Sequence, residues 1–140
     1  MKTIKDFIGN WPLDTEDARK EKRHIHIPLE KALTVVHGSE NETKMTFFIS
    51  NKRCHVGKIE ICPGKNTDPE THKGDEILMM LKGRIQIVVL SELEDEKAVS
   101  RKAYGLEEGG RFLIPEGYKH QYFNLGLGMA EVLFTIAPDL

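Results

Sequence analysis

From residue 44 onward, apolar and polar residues alternate in short runs. This is the period of two expected of half-buried strands, whose successive side chains leave on opposite faces. The runs are "KMTFFIS", "CHVGKIEIC", "EILMMLKG", "RIQIVVLSEL", "RFLIP", "HQYFNL" and "AEVLFTIAP". They are rich in Val, Ile, Phe, Thr and Tyr and are separated by Gly, Pro, Asn or Asp. They recur about every ten residues, and no long amphipathic helix separates them, which predicts an all-β antiparallel sandwich or barrel. "SELEDEKAVSRK", residues 91–102, is the most charged stretch and reads as a solvated loop or the tip of a long hairpin.

The pattern before residue 44 is less regular. "PLDTEDARKEKR", residues 12–23, predicts a short helix starting at Asp14 or Thr15, because an oxygen-bearing side chain followed by acidic residues satisfies the free N–H groups of a first turn. It has no clear apolar face, so the helix is expected to lie on something larger. "HIHIPLEKALTVVHG" reads as extended, with His24 and His26 on one side and Ile25 and Ile27 on the other. That His-x-His pair has no third ligand among its neighbours, so no metal is assigned to it. Residues 1–40 are read as an N-terminal extension, packed on the barrel or exchanged with a partner subunit, and residues 41–140 as a single barrel domain. Along an early strand Lys44, Thr46 and Phe48 share a face, and one of them is expected to reach the cavity.

Composition narrows the partners. The 140 residues suffice for one domain without a disulfide or metal as a folding requirement. Twenty basic against 22 acidic side chains give a net charge of -2, which argues against nucleic acid as the main partner. No apolar run is long enough to cross a membrane, and a cytoplasmic location is expected. If Cys54 and Cys62 flank one strand, they are about 26 Å apart at roughly 3.3 Å per residue, too far for a disulfide, and both are read as buried or half-buried thiols.

The candidate chemistry lies in two places. In "GKNTDPETHKGDEILMMLKG" Glu70 and His72 are two apart, and Glu76 joins their face after a turn at residues 73–75, so three potential metal ligands converge at one sheet end. Leu78 and Met80 share parity with Glu76 and are expected to fill the core behind it. In "GGRFLIPEGYKHQYFN" a Pro-x-Gly turn reverses the chain and delivers His120 to the next strand, with Tyr122 and Asn124 on the same face.

These two stretches resemble the paired motifs of the cupins. Gly109, five residues, Pro115, Gly117, His120 and Asn124 match the second cupin motif throughout. His72, Glu76 and Gly83, led in by Pro63 and Gly64, match the first, but Glu70 stands where the family has its first histidine. The resemblance covers residues 63–124. It implies a double-stranded β-helix, or jelly-roll, barrel holding one divalent transition metal per chain (Mn, Fe, Ni or Zn), with His72, Glu76 and His120 as ligands. Glu70 is either a fourth ligand or, outside the coordination shell, the catalytic base.

The implied function is metal-assisted isomerase, lyase or dioxygenase chemistry on a small oxygenated metabolite such as a carboxylic acid, keto acid or sugar derivative. The alternative is a non-catalytic cupin that binds a small, sugar-like molecule. A small-molecule ligand and a homodimer are the expected partners, the dimer because an exchanged N-terminal strand could cover an open sheet edge.

Overall fold

A computed structural model describes residues 7–38, 43–92 and 99–140. The short helix α1 spans Thr15–Glu21. Asp14 stands at its N-cap, Glu16 and Asp17 lie in the first turn and Arg19 and Lys20 in the last, which is the charge order a helix dipole favours. Only Ala18 of this helix is buried. A 3-10 turn at Leu29–Lys31 breaks the extended reading of the following stretch and leads into β1, Leu33–His37.

The strands β2 (Thr43–Ser50), β3 (His55–Ile61), β4 (Asp75–Lys82), β5 (Ile85–Glu92), β6 (Val99–Leu106), β7 (Arg111–Ile114), β8 (Lys119–Phe123) and β9 (Ala130–Ala137) follow. All pair antiparallel, in a six-stranded sheet of order β1-β2-β3-β9-β4-β7 and a three-stranded sheet of order β6-β5-β8. The fold is therefore all-β, a jelly-roll barrel. Strand β6 was not expected. Its sequence, VSRKAYGL, lacks an apolar face because residues 101–105 are exposed on an edge of the smaller sheet. The tip of the predicted hairpin, residues 93–98, lies outside the described residues.

The core fills the space between the sheets. Phe47, Ile59, Leu78, Met80, Ile87, Tyr122, Phe134 and Ile136 are buried, and Phe47 meets Phe134 edge to face at a centroid distance of 5.5 Å. Leu78 and Met80 lie inside, as their parity with Glu76 predicts. Of the three β2 candidates Thr46 is buried but does not line the cavity; Thr43, Met45 and Phe47, of opposite parity, line it, while Lys44 and Phe48 are exposed. A bulge between Phe47 and Ile49 then shifts the register, so an unbroken alternation cannot be projected along this strand.

The cysteines also need correction. Cys54 is half-buried but Cys62 is exposed, because each lies just beyond an end of β3, where alternation no longer decides orientation. Among the described N-terminal residues, Trp11 pairs with Ser50 through two backbone hydrogen bonds, and the Gly9 N–H donates to Ser50 Oγ at 2.6 Å.

Candidate metal centre

Two connections build the site. Residues 66–70 run beside β8 as an extra edge, with Glu70 and His120 exchanging two backbone hydrogen bonds of 2.9 Å. The Pro115–Gly117 turn depends on Gly117 at φ +84°, a conformation that favours glycine, and the Gly117 N–H donates to the His72 carbonyl at 3.0 Å. These backbone bonds fasten the two motifs to each other. Glu76 enters from the second residue of β4, and His120 from the second residue of β8.

Three of the four sequence candidates come together. Ligand atoms of His72, Glu76 and His120 all lie within 4.8 Å of one another. Glu76 Oε2 is 2.9 Å from His120 Nε2 and 3.2 Å from His72 Nε2. His120 Nδ1 sits 3.0 Å from the Tyr118 carbonyl. If it donates a proton there, the Nε2 lone pair is left for the site.

Glu76 and His120 are each 2% exposed, yet Glu76 Oε2 has no partner with hydrogen-bond geometry. A buried carboxylate oxygen left this way costs free energy, and two imidazole nitrogens aimed at the same place make a donor set that suits a divalent transition metal. The residues present therefore fit the ion that the motifs imply.

The electrostatics keep the carboxylate ionised. Burial pushes the Glu76 carboxyl up, but the His120 and His72 imidazoles outweigh it and hold its pKa at about 2. Burial pulls His120 down, and the Glu76 carboxylate more than compensates, so its pKa is raised. Tyr122 stacks on His120 with ring centroids 5.3 Å apart. Its hydroxyl is buried without a hydrogen-bond partner, and burial, then Glu76, raise its pKa, so it stays a neutral donor. Asn124, of the same parity, is structural: its amide donates to the Ile61 and Gly128 carbonyls, and its Oδ1 accepts from the Gly126 N–H.

Glu70 stands apart from the three clustered groups. Its Oε2 is 3.7 Å from His72 Nε2, and its Oε1 is in close contact with His37 Nε2. Side-chain exposure falls from 42% at His37 to 31% at Glu70, 11% at His72 and 3% at Glu76, so the Glu70–His37 pair forms the rim and the other residues the interior. Sequence reasoning missed His37. It ends β1, 33 residues before Glu70, and only the barrel closure brings the edge of the larger sheet against residues 66–70. Its one signal was a histidine closing the apolar run "TVVHG". His24 and His26 are exposed and outside the cluster.

The cluster opens into a cavity of about 200 Å³ between the sheets. No protein-family model matches the chain, and no curated protein matches its sequence. Solved structures do match. The cupin domain of Schizosaccharomyces pombe Cnp3 superposes at TM-score 0.58 and 18% identity over 70% of this chain and 66% of that one.

The chain has the cupin fold.

The cupin likeness extends to oxalate oxidase, at TM-score 0.58 and 21% identity over 71% of this chain and 53% of that one. It also extends to the 7S globulin of Momordica charantia, at TM-score 0.62 and 15% identity over 78% of this chain and 32% of that one. The chain thus spans about a third of the globulin's length and about half of the oxidase's. At these identities the likeness is one of fold, and one cupin architecture carries both an oxidase and a globulin.

Proposed function

We propose that this cupin is a metal-dependent enzyme that moves a proton on a small oxygenated substrate, in isomerase or lyase chemistry. The supporting observation is the division of labour among the carboxylates. Glu76 is buried between two imidazoles, while Glu70 sits at the cavity rim against His37, outside the clustered ligand atoms.

His72, Glu76 and His120 would hold one divalent ion, of Mn, Fe, Ni or Zn type. Bound there, such an ion supplies Lewis-acid polarisation of a substrate oxygen. Glu70 accepts the substrate proton, and His37, more exposed, passes it to solvent. Tyr122 offers its hydroxyl to the substrate oxygen. The buried aromatic and aliphatic walls of the cavity keep water from the reacting carbon.

The test is solvent deuterium exchange. Small 2-oxo acids are incubated in D₂O with metal-reconstituted protein, and loss of the proton beside the carbonyl is followed by NMR. Glu70→Gln is expected to keep its metal and lose exchange by about 100-fold or more. Absence of exchange across the series, or equal exchange by Glu70→Gln, overturns the enzymatic reading and leaves a binding cupin.

A further inference from the structure

We propose that the ligand of this site is a short amphipathic monocarboxylate, its carboxylate at the His72–Glu76–His120 end and its apolar body against the larger sheet. This rests on the metal reading above and goes on to name the ligand class. Most of the cavity wall is apolar: Val35, Met45, Phe47, Ile59, Phe134 and Ile136 come from β1, β2, β3 and β9. A polyol or sugar would press hydroxyls against that wall without partners, which is costly.

Charge limits the head group. Among the described residues, no lysine or arginine lines the cavity, whereas Asp68, Glu70 and Glu76 do. Without a metal those carboxylates repel an anion. A divalent ion offset by Glu76 leaves one positive charge at the clustered ligands, which matches a single carboxylate, and Asp68 and Glu70 on the same lining weigh further against a dianion or phosphate. The buried, unpartnered hydroxyls of Tyr122 and Thr43 also line the cavity and are available to donate to ligand oxygens.

Size limits the body. A dry cavity of about 150 Å³ accepts a benzene ring. The 200 Å³ here therefore holds a ring, or a chain of about four to six carbons, together with its head group.

The test is calorimetric titration of the protein, reconstituted with Mn(II), Fe(II), Ni(II) or Zn(II) and assayed for metal content, with acetate, propionate, butyrate, pentanoate, hexanoate, octanoate and benzoate. Succinate and glucose are the contrasting ligands. Affinity is expected to rise about fourfold per added methylene up to pentanoate or hexanoate, then level off. Metal-stripped protein is expected to bind none of the series, and succinate and glucose to bind more weakly than butyrate.

Met45→Glu is expected to abolish the chain-length gain, and Met45→Leu, which keeps the wall apolar, to preserve it; circular dichroism checks the fold of both. With metal bound, a flat series, or succinate or glucose as tight as pentanoate, overturns the ligand assignment and leaves the metal centre standing. A protein that takes up no metal overturns the metal centre itself. A chain-length series that survives metal removal overturns the placement of the carboxylate.

Discussion

Replacing Glu76 with glutamine changes one charge and almost no volume, so its effect isolates the electrostatics of the centre. In metal-free protein, the carboxylate is held at a pKa of about 2 against an ordinary 4.5. A drop of about 2.5 pH units, at about 1.4 kcal/mol per unit, amounts to about 3 kcal/mol of native-state stabilisation. Because the folded-state pKa is lowered, this stability is present above pH 4.5 and is lost as the pH falls from 4.5 towards 2. The raised pKa of His120 works in the opposite sense: its contribution is full below pH 6.5 and is lost as the pH rises through the raised value.

Chelator-treated wild-type and Glu76→Gln proteins, compared by urea denaturation from pH 2 to 8, should therefore differ most between about pH 4.5 and 6.5. There the variant is expected to be less stable by about 3 kcal/mol, or about 10 °C in Tm for a chain of this length. Near pH 2 the gap should close. Added metal should widen it at neutral pH, since only the wild type keeps all three donors. Equal stability at pH 6, or a gap that persists undiminished at pH 2, would show that the imidazoles do not hold this carboxylate as the geometry requires.

Other expectations follow from single contacts. His120→Ala should lower bound metal by 100-fold or more in affinity, about 3 kcal/mol, measured by competition with a coloured chelator; unchanged affinity refutes its role as a ligand. Gly57→Ala would bring a Cβ to 2.3 Å from the Thr46 carbonyl oxygen and 2.8 Å from the Phe134 ring, so β2 and β3 must part. A loss of about 3 kcal/mol is expected by calorimetry, and a Tm within 2 °C of wild type refutes the packing. Burial lowers the pKa of His55 despite Asp139 nearby, so its contribution is present above pH 6.5 and lost as the pH falls below that value. His55→Gln should remove this acid-side slope, and an identical slope in both proteins refutes it. A homodimer is expected, with light scattering giving about twice 15.9 kDa; a species of 15.9 kDa at micromolar concentration rules it out.

Most of the strands, the Pro115–Gly117 turn and the two motifs that carry His72, Glu76 and His120 were legible in the amino-acid order, because each is a matter of short-range spacing. Period-two alternation and a glycine with positive φ are local signals, and they survive folding. Strand β6 escaped because an exposed edge strand has no apolar face to betray it. Alternation alone did not say which side of β2 faces the cavity, since Thr46 on the other side is buried as well, and the bulge after Phe47 shifts the register of the residues that follow.

The partnership of His37 with Glu70 was set by the closure of one sheet on the other across 33 residues, and it decides that Glu70 stands at the rim rather than among the clustered ligands. The apolar wall was likewise dispersed over β1, β2, β3 and β9 until packing assembled it. Local order thus carried the two motifs that contain His72, Glu76 and His120, whereas long-range contacts, whose partners lie far apart along the chain, shaped the space around them.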